Sequence, residues 1–145
     1  VSLFSVISIS ASGMAAQRTR SEVLVENIAN SETTRTPGGG PYRRKDVVFE
    51  SGPVASPFAS ELNSQLQGTP SGVRVSEITV DNSEPERRYM PGHPDADSDG
   101  YVKMPRINAA EDMVDLMSAS RSYQANVAAV SAIKDMIQHS IDLLR

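Results

Sequence analysis

A spacing of three and four residues runs through the C-terminal part of the chain. It picks out Met113, Leu116, Ser120, Tyr123, Val127, Val130, Lys134, Ile137, Ile141 and Leu144, and eight of these ten are apolar or aromatic. A repeat of this kind over more than four heptads predicts a coiled-coil seam, narrower than the stripe of a globular helix. No Gly or Pro interrupts the chain from Asn108 to Arg145. Asn108 is suited to cap the helix, with Glu111 at the third helical position. Asp112 and Asp115 follow, where the helix dipole favours negative charge. A helix of about 37 residues is roughly 55 Å long, so it should protrude from a body whose radius of gyration is about 15 Å. A second row, Val114, Met117, Ala128, Ile133, Met136 and Leu143, predicts contact with more than one neighbour.

The N-terminal segment repeats the signal more weakly through Phe4, Ile7, Ala11, Met14, Arg18, Ser21, Val25 and Ile28. Gly13 lies inside this pattern and costs about 1 kcal/mol of helix stability relative to Ala, so a close helix approach or a kink is expected there. Asn30-Ser31 ends the predicted helix. Neither seam can be buried by its own helix, so the two are expected to pair with each other or with neighbouring subunits.

Between them the pattern changes. Thr36 to Pro41 is a Gly/Pro loop, Arg43 to Glu50 is strand-like, and residues 51–71 are rich in Ser, Pro, Gln and Gly, as in a mobile insertion. Val73, Val75, Ile78 and Val80 alternate as in a strand with a slip at Glu77, a bulge signal. Arg87–Met90 and Tyr101–Met104 are two more short strands, with turns at Pro91-Gly92 and Asp99-Gly100. The expected fold is mainly α with a small β region: an N-terminal helix over residues 1–30, a β-rich middle over 31–107, and a C-terminal helix over 108–145, the two helices forming a coiled-coil hairpin.

Composition sharpens this division. Of 145 residues, nine are Gly and nine Pro; all the prolines lie between Pro37 and Pro105, and Gly13 alone among the glycines lies outside 38–100. A uniform β-sandwich or an alternating βαβ fold would spread such residues along the chain. The net charge is −4, and no segment is basic, which argues against a nucleic-acid partner. The cluster Arg43-Arg44-Lys45 reads as a solvated strand end. The chain has no cysteine, which excludes disulfides and thiol chemistry. Val1 to Gln17 carry no charge, but five serines interrupt them and no basic region precedes them. The segment is too short and polar to span a bilayer, and cleavage of a signal peptide is not expected.

Candidate chemistry is sparse. Asp95-Ala96-Asp97-Ser98-Asp99-Gly100 has the opening spacing of a calcium loop. Lys103, Pro105 and Arg106 then occupy the ninth, eleventh and twelfth positions, and Pro91 and Pro94 forbid the entering helix, so an acidic turn is the expected reading. His93 and His139 have no partners at ligand spacing. No nucleophile elbow or phosphate loop is present, and neither an enzyme, a cofactor, a metal site nor a small-molecule substrate is expected.

Three separated stretches resemble flagellar basal-body rod proteins. Asn27-Ile28-Ala29-Asn30, followed after a spacer by Tyr42-Arg43, is similar to the pattern that closes that family's first helix, with Glu26 in place of the usual Ala. Ser120-Arg121-Ser122-Tyr123-Gln124-Ala125-Asn126 resembles its C-terminal signature. Tyr89 to Asp97, with Gly100-Tyr101-Val102, looks like the proximal-rod subgroup, FlgC. The resemblance implies a subunit exported through the flagellar type III apparatus without a cleaved signal. It implies assembly with its own copies and other rod proteins into a torque-transmitting periplasmic tube. It also implies terminal helices that are loosely ordered until neighbours bury their seams. Under it Tyr123 sits on the seam, Arg121, Gln124 and Asn126 set register, and Asn27 and Asn30 cap or turn the first helix end. A soluble helical-hairpin adaptor that binds a partner helix without polymerising is the alternative.

Overall fold

The computed structural model describes residues 3–53 and 71–143. Helix α1 spans Leu3–Ala29, strand β1 Lys45–Pro53, β2 Ser71–Val80, β3 Glu86–Tyr89, β4 Tyr101–Met104, and helix α2 Ala109–Asp142. The expected insertion is shorter than 51–71, because residues 51–53 and 71 belong to the strands; the rest of it lies outside the described residues. Asn108 is the N-cap of α2 as its side chain predicts, accepting hydrogen bonds from the Ala110 and Glu111 amides. At 34 residues, α2 is about 51 Å long.

The strands form two separate antiparallel hairpins, β1–β2 and β3–β4. In the first, Val48 pairs with Glu77 but Phe49 pairs with Val75, so Ser76 is the extra residue of a bulge, one position from the predicted slip. Burial alternates along β1: Lys45, Val47 and Phe49 are half-buried and Asp46, Val48 and Glu50 exposed. One face of this hairpin lies on α1.

The helices pack on each other and run antiparallel, since Gly13 faces Asn126 and Arg20 pairs with Asp115 at 3.5 Å. Ala16, Val23 and Leu24 are buried on α1, and Ala119 and Ile133 on α2. Val102, 1% exposed, and Met104 form a smaller core in the second hairpin. The Gly/Pro segment, expected to be a flexible turn or loop, is a turn, with the Thr36 amide bonded to the Gly40 carbonyl and the Gly39 amide to the Thr36 carbonyl, both at 2.9 Å.

Gly100 closes the turn between β3 and β4 with φ +81, and a Cβ there would stand 2.9 Å from Tyr89 Cε2. The ring it would strike makes an edge-to-face pair with Tyr101. Gly100→Ala is therefore expected to cost about 1–2 kcal/mol in backbone strain and more in displacing Tyr89. Thermal unfolding should show a lower midpoint, and an unchanged midpoint would contradict this account of the turn.

Candidate assembly surface and its polar joint

The seam between α1 and α2 combines small and polar side chains at its closest points with larger apolar ones. On α2 the column Asp112, Ala119, Asn126 and Ile133 is buried or half-buried, joined by Leu116, Val130 and Ile137. On α1 the inner column is Ile9, Gly13, Ala16, Arg20, Val23 and Asn27. On α2 the inner column stands one residue from an expected column: Met113 and Val127, placed on the seam by their spacing, are exposed, and so is Val25 on α1. Tyr123 and Ile141 are exposed too. One residue on a helix is about 100° of rotation, so this column turns away from α1, and of the two expected partners, the other helix or a neighbouring subunit, it does not meet the first. Close approach of the backbones selects the small residues instead: a Cβ on Gly13 would lie 3.2 Å from the Asn126 amide group. Gly13 thus marks a close helix approach.

The remaining expected seam residues divide. Ile7, Met14 and Ile28 are half-buried. Phe4 lies in the first turn of α1, and Leu144 lies outside the described residues. Met113 and Met117 are each 54% exposed and Ile141 is 59% exposed. With Val114, Val127 and Met136 they give α2 several large apolar side chains that nothing among the described residues covers. Side chains of this size are ordinarily exposed in such number only where another surface meets them. Of the second row on α2, Ile133 faces inward and is buried, while Val114, Met117, Met136 and Leu143 are exposed.

The motif residues meet at the junction of three elements. Asn27, in the last turn of α1, is 0% exposed. Its Nδ2 donates to the Lys45 carbonyl at 2.8 Å, and its Oδ1 accepts from the Lys45 amide at 3.0 Å. The side-chain amide thereby occupies the place of a neighbouring strand at the start of β1. Asn27 does not cap its helix; its carboxamide has the donor and acceptor spacing of a peptide unit. Tyr42 Oη donates to Asn27 Oδ1 at 3.2 Å, and burial, followed by the Glu26 charge, pushes the phenol pKa up to about 12. Asn30 turns the helix end, donating to the Glu26 carbonyl at 2.9 Å and accepting from Thr33 Oγ1. Ala29 is exposed, as are Arg43, Arg121 and Gln124. Arg43 donates to Asn82 Oδ1 at 2.7 Å. Asn126 donates to the Ser122 carbonyl at 2.9 Å while packing on Gly13.

Arg44 and Lys45 are not a solvated strand end. Lys45 Nζ lies 2.5 Å from Glu26 Oε1. Arg44 Nη2 lies 3.0 Å from Asp112 Oδ1, and Asp112 is 0% exposed. The contact is an ion pair without hydrogen-bond alignment, and neither Asp112 oxygen has a hydrogen-bond donor among the described residues. Burial is the largest influence on this carboxyl and raises its pKa; Arg44 opposes the rise, and Asp46, Asp115 and Glu111 add to it. Sequence reasoning treated Asp112 as a helix-dipole charge. Its place in the column of Ala119, Asn126 and Ile133 was the available signal, since a buried carboxylate requires a partner from elsewhere in the fold.

A sign follows for stability. The folded chain binds the Asp112 proton more tightly than the unfolded chain does, so this group opposes folding at neutral pH. The opposition is relieved as pH falls through the folded value, towards the ordinary carboxylate range. Asp112→Asn keeps the shape without the charge, and Arg44 retains Asp46 at 3.2 Å. The variant should match or exceed the parent at pH 7 to within about 1 kcal/mol. It should also lose the parent's gain on mild acidification, as read by denaturant titration at pH 5 and 7.

The acidic turn is occupied by its own chain. Asp95 accepts from Thr34 at 2.8 Å and pairs with Arg35. Asp97 accepts from the Asp99 and Tyr101 amides and from Arg87. Both carboxyls are held below the usual range, Asp95 mainly by the Thr34 hydrogen bond and Asp97 mainly by the Tyr101 amide. Among the described residues no three metal-ligating side chains converge, and no helix is long and apolar enough to cross a membrane.

A family model described as flagellar basal body rod FlgEFG protein C-terminal matches residues 98–143, which hold β4 and all of α2. The flagellar basal-body rod protein FlgC of Borreliella burgdorferi is 40% identical, over 99% of this chain and 98% of its own length. FlgC of Bacillus subtilis is 42% identical over 97% of both chains. That of Salmonella typhimurium is 39% identical over 99% of this chain and 98% of its own. At this identity over nearly the full length, including both helices and the motif junction, the chain belongs to the FlgC family of flagellar basal-body rod proteins.

Proposed function

We propose that this chain is a structural subunit of the bacterial proximal rod, polymerising through its terminal helices and transmitting torque across the periplasm. The observation that carries the reading is the exposed apolar surface of α2, Met113, Met117, Tyr123, Val127 and Ile141, left over after α1 has been paired through small residues. Fully burying one such side chain contributes about 1.5–3 kcal/mol, so neighbours covering several of them gain enough to hold subunits together. The helix pair acts as a coiled-coil hairpin, with Leu116, Val130 and Ile137 toward α1 and the exposed row toward other subunits. Its partners are its own copies, other rod proteins, and the type III export apparatus, which carries the chain without cleaving a signal.

The relatives' names support a place in the basal-body rod, and a structural role needs no cofactor or substrate. Co-assembly tests the reading: the full chain, mixed with other rod proteins, should sediment in stoichiometric assemblies visible by electron microscopy. A chain that binds a single partner helix and stops there is an adaptor, and that result overturns polymerisation.

A further inference from the structure

The β1–β2 hairpin lacks the apolar burial that would orient it. Val48, Val73, Ile78 and Val80 are exposed, and its inward Val47, Phe49 and Val75 are only half-buried. Apolar contact is non-directional, so a half-buried face permits sliding and rotation on α1. Directional contacts occur at both ends of the hairpin instead. At one end Asn27 holds both backbone groups of Lys45. At the other, Ser12 Oγ accepts from the Val73 amide at 3.0 Å. The helical rise from Ser12 to Asn27 is about 22 Å. The strand rise from Lys45 to Ser51, which pairs with Val73, is about 20 Å. The hairpin therefore lies along α1, fastened at two points whose spacings match. The Arg44–Asp112 pair then ties the same end to the first turn of α2.

We infer that Asn27, Tyr42, Arg44 and Asp112 are positioning residues: they form a polar joint that sets the direction of the β1–β2 hairpin relative to the helix pair, with Ser12 as the distal anchor. Three elements meet there, so the hairpin is held in place only when both helices are. Asn27 and Asp112 are buried and Tyr42 and Arg44 half-buried, and the joint acts on neighbouring subunits through the direction of the hairpin. That consequence rests on the rod reading; the geometry of the single chain does not.

The absence of cysteine makes the test direct. Spin labels are attached to cysteines introduced at Glu77 on β2 and Ser120 on α2, both exposed, in the full chain. Stabilising osmolyte is added until helix content reaches its plateau. The parent should give one narrow distance distribution. Asn27→Asp is nearly isosteric but replaces the donor to the Lys45 carbonyl with a repelling oxygen, and it should lose the single narrow distribution. Ile133→Ala, which cuts the seam away from the joint, should lower the melting temperature and keep the distribution narrow. A broad distribution in the parent, or a narrow one in Asn27→Asp with only a lowered melting temperature, overturns the inference. Should Asn27→Asp fail to reach the helical plateau, Tyr42→Phe removes one hydroxyl from the joint, and partial broadening is expected; no change overturns the inference. Because the distances are read within one chain, a failure of polymerisation leaves this result standing, and the reverse holds too.

Discussion

Deleting residues 135–145 is expected to abolish incorporation into a rod while leaving both β-hairpins folded. The deletion removes Met136, Ile141 and Leu143, all exposed and of little use to the isolated chain. It spares the inner column from Asp112 to Ile133, the polar joint, and every residue of the four strands. Ile137 is half-buried, and its loss costs the protomer something, though less than a fully buried side chain would. Each large apolar side chain that a neighbour would cover represents about 1.5–3 kcal/mol. Losing three from every subunit amounts to several powers of ten in association, against a modest loss in the protomer. Sedimentation with rod proteins, imaging of basal bodies and a motility assay would each report the loss. Normal motility from the shortened chain would sink the proposal that the end of α2 is an assembly surface.

Gly13→Leu should have the largest effect on the protomer itself. Gly13 meets the Asn126 carboxamide across the helix pair, and even a Cβ would be 3.2 Å from it. The smaller change, Gly13→Ala, gains about 1 kcal/mol of helix propensity. It requires Asn126, bonded to the Ser122 carbonyl at 2.9 Å, to move by a few tenths of an ångström. The two effects nearly cancel, and little change is expected. Leucine cannot be accommodated by such a shift. It must push the helices apart or leave its rotamer well, at a cost of about 1–3 kcal/mol or more. In a chain of this size that lowers the melting temperature by roughly 3–10 °C. Equal midpoints for Gly13→Ala and Gly13→Leu would show that the helices do not approach closely at this position.

These predictions rest on features of different legibility. The elements themselves were written locally. Breaker-free ends gave two long helices, Asn108 marked the start of the second, and apolar runs, alternation and turn residues together placed the four strands to within a few residues. The bulge at Ser76 was visible as a slip in the valine pattern. The helix faces were not legible in this way. Met113 and Asp112 are adjacent, and a pattern that rewards apolar size chooses Met113. The fold chooses Asp112 because the inner column must admit a close partner and an arginine. The junction was hidden for another reason. Asn27 in sequence is a polar residue near a helix end, and capping is its commonest use there. Its actual partner is the backbone of Lys45, reached only after the turn at residues 36–40 has brought the chain back.

The sequence by itself determined the kind and order of the elements, the division into breaker-free ends and a breaker-rich middle, and the motifs that mark the rod family. Hydrophobic period, capping residues and turn residues act over a few positions, so they can be read without the fold. The tertiary structure decided which column of each helix faces the other, which large apolar side chains remain exposed, and how the first hairpin is fastened along α1. Those outcomes depend on how closely two backbones approach and on polar groups distant in sequence finding directional partners, and neither quantity is carried by any local pattern.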